Sequence, residues 1–382
     1  MAPTDRVDGG AAVTARYGAA VWVLLCGLLF GGAGYLNGDA AAYAAQGWAG
    51  DVWSRPVHVL WCALATCLAP LTGAALPRAL DGVTSLCGAW LVIGSGARGG
   101  RALLAAAFVL PWSAFAEVDL MWMALILGTT RVTSRGLAGA LSALAVATSP
   151  VALLATPWAC RERDDLAPMM GAVLAVIALS FGSVGDWWLG HRGVLLSEWM
   201  PGRTLQAWGA SGVWAPVLAS AWTGERKALW LAPLVLAPPD VPAWVLLAVV
   251  AAARIDRPDV RGPMLILGGV ACLVGVGSLT RRAAEVREED ELLHTIAARH
   301  TDGEGYAGPW SWGTRLSVIA TGRVDGLPFR PDRPLADGRW PAPDVSAVGL
   351  LPPGRPPSDA MVLLRVDADA VHWVEPWWEG TR

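Results

Sequence analysis

The feature that most limits this chain is a series of apolar runs, most of them roughly 15–20 residues, that recurs from residue 17 to residue 280. A bilayer-spanning helix needs about 20 such residues, because the hydrocarbon core is about 30 Å thick. The runs cover 17–36, 57–76, 82–97, 102–116, 120–130, 137–158, 168–184, 206–223, 228–238, 241–253 and 263–280. They lack the alternating polar and apolar faces of helices in soluble proteins. Charged residues make up only 16% of the chain and hydrophobic residues 54%, where a soluble domain carries about 25% charged residues. The pattern predicts a polytopic α-helical membrane protein with about 10–12 membrane segments, some of them re-entrant or broken.

Orientation follows from Arg and Lys, which favour the cytoplasmic side. The basic connections are Arg98/Arg101, Arg131/Arg135, Arg161/Arg163, Arg226/Lys227 and Arg254/Arg257/Arg261. With all five inside, the acidic connections fall outside: Asp39 and Asp51, Glu117 and Asp119, Asp186, and Asp240. Two places strain this alternation. Either 57–76 or 82–97 has to be re-entrant or to lie in the interface. Segment 137–158 has to start and finish inside, so two half-helices folding back at Ser149-Pro150 are expected. A hairpin around Pro238-Pro239-Asp240 is expected between the two short runs that flank it.

Residues 1–280 read as the transmembrane domain, and beyond residue 280 the chain changes character. RRAAEVREEDELLHTIAARH (281–300) reads as a charged amphipathic helix. RLSVIATG (315–322), MVLLRVD (361–367) and AVHWVE (370–375) alternate like strands. Residues 281–382 are therefore expected to form a small extracytoplasmic α/β domain. Trp310, Trp312, Trp373, Trp377 and Trp378 lie in it, to anchor it or to stack on a sugar.

A net charge of −3 gives no electrostatic case for nucleic acid. Five of the six cysteines lie in these apolar runs and Cys160 closely follows one, with neither a disulfide framework nor metal-type spacing. A cleavable leader is not expected, because the first run lacks a clear small-x-small site and is followed by Asn37 and Asp39.

Three outer connections could carry chemistry. In YLNGDAAAYAAQGWAGDVWSRPVHVLW (35–61), Asp39 falls just past the first run, an Ala- and aromatic-rich stretch fit for the membrane interface follows, and Arg55 and His58 precede the next run. Glu117 and Asp119 sit in FAEVDLMW. In SVGDWWLGHRGVLLSEWMPGRTLQ, Asp186 and two tryptophans precede His191-Arg192, where Arg can clamp a phosphate with two parallel hydrogen bonds and His can add a donor. The plainer alternatives are solvated loop charges and an aromatic belt with an arginine reaching to headgroups.

The first of these stretches resembles the first outer loop of integral-membrane glycosyltransferases of the GT-C class, which includes protein mannosyltransferases. FAEVDLMWMALILGTTRVTSRGLAGALSALAVATSPVALLATPWA (115–159) is similar to their acidic second outer loop and the spans after it. Ser149-Pro150 stands where the family often has Arg-Pro, and the second loop reads Glu-Val-Asp with no DxD. Together the two matches cover about the first 160 residues. The resemblance implies transfer of a sugar from a polyprenyl-phosphate donor to a protein, lipid or glycan acceptor at the outer face, with inversion. Asp39 takes the role of general base. His191 and Arg192, and after them Arg55 and His58, are candidates for the donor phosphate, with Asp186 beside them. Glu117 and Asp119 would orient the acceptor or bind a divalent cation, Mg²⁺ or Mn²⁺ by the chemistry of oxygen ligands. Two other classes compete: a non-catalytic membrane protein acting in assembly or binding, and a transporter, for which internal repeats would be expected and none is seen.

Overall fold

The computed structural model describes residues 4–31, 38–50, 58–115, 117–180, 242–254 and 261–298, with shorter stretches at 227, 230–231, 233–234, 305–308, 310–321, 329–331, 347–349, 365–367 and 370–372. The expected segments 206–223 and 228–238 and the Pro238-Pro239 hairpin lie wholly or mostly outside them. The chain divides into two compact units. The first comprises Met1–Gly34, Val52–Leu64 and Arg78–Ala283, and the second Tyr35–Asp51, Ala65–Pro77 and Ala284–Arg382.

Helices dominate the described residues, and three are long and apolar enough to cross a membrane: Val13–Gly31, the helical run Val59–Ser95, and Pro263–Thr295. The first lies in α1 (Thr4–Gly31) and the third in α11 (Arg261–Ala297). Their large apolar side chains, among them Leu25, Leu29, Ile266, Leu273 and Val274, are exposed, a surface that suits lipid rather than water.

The run Val59–Ser95 is not one rod. It is α3 (Val59–Thr72), a 3₁₀ turn (Gly73–Ala75) and α4 (Leu76–Ser95). A Cβ on Gly47 would lie 2.8 Å from the Leu76 side chain and 2.9 Å from the Ala65 carbonyl oxygen. Eleven residues of straight helix would hold those two positions about 16 Å apart. The chain therefore folds back between them, at Gly73, whose φ of +52° suits glycine. α3 is about 21 Å long and α4 about 30 Å, so only α4 matches a bilayer.

Among the described residues the first unit also holds five shorter helices, α5 (Gly100–Val109), α6 (Asp119–Thr129), α7 (Arg135–Thr148), α8 (Ala152–Arg163) and α9 (Ala167–Ser180), with α10 (Trp244–Arg254) packed against α5. The run 137–158 is broken. Ser149 is extended (φ −157°, ψ 132°) and Pro150 follows, so α7 stops and α8 returns. The return is fixed by Arg163 at the end of α8, which donates to the carbonyls of Thr129 and Val132, in the turn between α6 and α7.

Four of the five basic connections meet at one end of this unit. Arg101 donates to the Ala253 carbonyl at 3.3 Å, Arg254 pairs with Glu162 at 2.8 Å, and Arg163 and Arg135 both reach Asp165, at 3.2 and 3.8 Å. Desolvation pushes the Asp165 carboxyl upward, but the Ala167 amide and the two guanidinium groups outweigh it, and its pKa lies below the ordinary carboxylate value.

In the second unit, α2 (Gly38–Ala49) packs on α12 (Trp310–Thr321). Trp48 Nε1 donates to the Gly73 carbonyl at 2.9 Å, tying the end of α2 to the helical turn. Three short strands, β1 (Gly305–Gly308), β2 (Phe329–Pro331) and β3 (Ala347–Gly349), pair in parallel in the order β2-β1-β3. β4 (Arg365–Asp367) and β5 (Ala370–His372) pair antiparallel, inside two stretches expected as strands. Residues 281–297, expected as an amphipathic helix, form the end of α11.

One expectation is overturned. Residues 315–322 do not form a strand; they lie in α12 up to Thr321. Arg315, Leu316, Ser317 and Val318 are all buried in succession, so the alternation in the sequence does not correspond to one wet and one dry face. A run this short fits either period, and packing chose the helix. Arg315 is taken into the interior with Asp290 at 3.6 Å and donates to the Val286 carbonyl at 3.3 Å.

Two outcomes follow. A Cβ on Gly171 of α9 would meet the Gly139 carbonyl of α7 at 1.9 Å, whereas Gly269 on α11 has nothing within 4 Å. Gly171→Ala should therefore destabilise by about 1–3 kcal/mol, while Gly269→Ala is neutral or stabilising; thermal unfolding in detergent reads the two signs. Because the folded pKa of Asp165 is depressed, its contribution is complete above the unfolded value of about 3.9 and is lost as pH falls through the folded value. The midpoint difference between wild type and Asp165→Asn should be level from about pH 8 to 5 and shrink below about pH 4.

Candidate functional site

The expected site residues are distributed unevenly. Asp39 is the second residue of α2, in the second unit. Glu117, Asp119 and His58 belong to the first unit. Arg55, Asp186, His191 and Arg192 lie outside the described residues.

The 110–119 connection is built from the residues upward as follows. α5 ends where Pro111 starts a 3₁₀ turn (Leu110–Trp112). Phe115 then takes a φ of +64°, rare for a side chain with a Cβ, and its buried ring holds it there. That reversal leads into Glu117 and the first turn of α6, where the partial positive charge of the helix start favours Asp119. Asp119 is 6% exposed and accepts from its own helix, from Trp122 Nε1 at 2.6 Å.

Glu117 Oε2 pairs with Arg282 Nη2 of α11 at 2.8 Å. The other terminal nitrogen of Arg282 donates to the Pro111 carbonyl at 3.1 Å. The guanidinium carbon stands 5.0 Å from the Trp112 ring centre and 5.6 Å from that of Phe115, within cation–π range. Arg282 is thus a cation of fixed position beside a carboxylate, a pairing that can meet a phosphate and an acceptor hydroxyl.

Two residues at this end were missed by the sequence reading. Arg282 was folded into the charged run 281–300 and not considered singly. Asp81 is only 3% exposed and packs against Gly31 of α1, where a Cβ would come within 2.8 Å of its carboxyl carbon. One turn along α4, Ser85 donates to the carbonyls of Asp81 and Ser113, both at 2.8 Å, tying this part of α4 to the 110–119 connection. Asp81 fell between the apolar runs 57–76 and 82–97 and was not considered. The signal was its place one turn from Leu76-Pro77, a helix start.

His58 opens α3, and its Nδ1 lies 2.7 Å from the Thr148 carbonyl. A carbonyl only accepts, so Nδ1 carries the proton. The partner is explained by the break at Ser149-Pro150. In an unbroken helix the Thr148 carbonyl would bond the amide of residue 152, but that amide turns to Ser149 at 3.0 Å. His58 supplies the missing donor from 90 residues away.

Among the described residues, no three His, Cys, Asp or Glu side chains group as metal ligands, and their cysteines are free thiols. Compared with family models, with curated proteins and with solved structures, the chain gives no match.

The His58 bond makes a direct prediction. His58→Leu leaves the Thr148 carbonyl without its donor and should cost about 1–3 kcal/mol. His58→Gln, whose amide still donates, should recover part of that loss in the same thermal unfolding measurement.

Proposed function

We propose that this chain is a polytopic membrane protein that transfers a sugar from a polyprenyl-phosphate donor to an acceptor at the outer face, in the manner of the GT-C glycosyltransferases its outer loops resemble. The observation that carries the reading is the separation of charge along the first unit. Arg101, Arg163 and Arg254 are tied together at one end, and the connection bearing Glu117 and Asp119 with Arg282 lies across α6 from the Thr129–Val132 turn that holds Arg163. Basic turns belong inside, which favours the outer face for the acidic connection; the membrane of this reading is a bacterial inner or plasma membrane. In this reading α3, too short to span, is the re-entrant segment, and residues 281–382 are the small extracytoplasmic α/β domain.

The chemistry is a displacement. The acceptor oxygen bonds to the anomeric carbon, the carbon–oxygen bond to the phosphate breaks, and the phosphate leaves with the electron pair. Asp39 takes the acceptor proton as general base. His191 and Arg192, with Arg55 and His58, offset the charge developing on phosphate, and Asp186 beside them binds the sugar of the donor; Arg282 is a further cation on the phosphate side. Glu117 and Asp119 orient the acceptor, and a Mg²⁺ or Mn²⁺ ion would find oxygen ligands in them.

A second reading, a non-catalytic membrane protein acting in assembly or binding, is favoured by two bonds: Glu117 is paired with Arg282, and Asp119 with Trp122. A transfer assay separates the two. Wild type, Asp39→Asn and Glu117→Gln are incubated with labelled polyprenyl-phosphate sugars and membrane extract. The enzyme reading expects transfer by wild type and a loss of about 10²–10⁴-fold in Asp39→Asn with an unchanged thermal midpoint. Equal transfer by wild type and Asp39→Asn, or a lowered midpoint in the variant, removes the role given to Asp39.

A further inference from the structure

The basic end of the first unit contains a cavity with a donor surplus. Arg131, which follows α6, Trp158 and Glu162 on one face of α8, and Arg254 at the end of α10 line it, together with Ser95 and Thr130. The two hydroxyls spend their protons on the Val92 and Leu127 carbonyls. Among the described lining residues Glu162 is the one carboxylate, and Arg254 pairs with it at 2.8 Å. The Arg131 guanidinium has no hydrogen-bond acceptor among the described residues. The indole nitrogen of Trp158, a residue only 2% exposed, is buried and likewise has none.

We propose that this cavity binds the phosphate group of a phosphate ester, held by Arg131, Arg254 and the Trp158 N–H. The donors come from three separate parts of the chain: the turn after α6, α8 and the end of α10. A tetrahedral phosphate offers an oxygen to each, whereas a carboxylate has only two, in one plane. A buried N–H without an acceptor is costly, and a bound oxyanion removes that cost. The electrostatics of Arg131 agree. Burial lowers its pKa, Glu162 opposes this, and Arg254 and Arg16 act in the same direction as burial. Arg16 adds a buried Nε without an acceptor. The site lies away from Glu117 and Asp119 and does not depend on the transfer reading. Two sources could present this group, a lipid headgroup or a soluble phosphate.

The test measures thermal midpoints of the full chain in two arms. In neutral detergent, inorganic phosphate and pyrophosphate are titrated. In nanodiscs, phosphatidylglycerol is raised against phosphatidylcholine. Saturable stabilisation is expected in one arm at least; the detergent arm identifies a soluble phosphate, the nanodisc arm alone a headgroup. Arg131→Gln should weaken the half-saturation point about tenfold or more. Trp158→Phe, which keeps an aromatic ring and removes the N–H, should weaken it about two- to tenfold and covers the case in which the arginine variant does not fold. Arg78→Gln makes the same charge change about 26 Å away along α4 and should leave binding unaltered. Absence of saturable stabilisation in both arms, or equal weakening by Arg78→Gln, overturns the proposal.

Discussion

The structure depends on how it satisfies the carbonyls left behind wherever a helix breaks. In a bilayer no water is at hand, so a broken helix is tolerated only if another part of the protein supplies the missing donors. Here the donors come from side chains far along the sequence. His58 serves the Thr148 carbonyl, Arg282 that of Pro111, Arg163 those of Thr129 and Val132, and Arg101 that of Ala253. In the second unit Trp48 serves Gly73. Each of these bonds closes one helix end and also ties two distant segments together. Short helices such as α6–α9, about 16–21 Å long, become members of a defined bundle by this means.

The same bonds account for the distribution of charge. Arginines that cap carbonyls at one end of the first unit gather the basic turns there, with Glu162 and Asp165 as their counter-ions. Arg282 does the opposite service at the Glu117 end, where the rings of Trp112 and Phe115 shield it. Glu117 and Asp119 consequently have structural partners in the resting protein. A catalytic use of either acid requires it to exchange that partner for a substrate group, so activity and stability are coupled at this connection.

Much of this was legible in the sequence, and the misses have identifiable causes. Ser149-Pro150 announced the break in 137–158, because proline lacks the amide a helix needs. The gathering of basic turns was legible because charge avoids hydrocarbon. The helix over 281–297 was legible from its amphipathic pattern. Asp81 was missed because a lone acid between two apolar runs looks like a loop charge until the helix around it is seen. Arg315 was read into a strand because its alternation is too short to separate the two periods, and only the burial of four consecutive residues decides for a helix. The fold-back at Gly73 was foreseen only as a necessity of counting, without its place.

By itself the sequence determined what the chain must avoid: apolar runs of membrane length cannot remain in water, and charged turns cannot remain in hydrocarbon. That settles the mainly helical character and which ends of the helices share a side. Tertiary structure decided which helices turn back, which carboxylates are buried, and which cation stands beside which acid. Those outcomes rest on donor–acceptor pairs such as His58 with Thr148 and Arg282 with Glu117, 90 and 165 residues apart. Local propensity carries no record of a partner so distant; the pairing exists only once packing has brought the segments together.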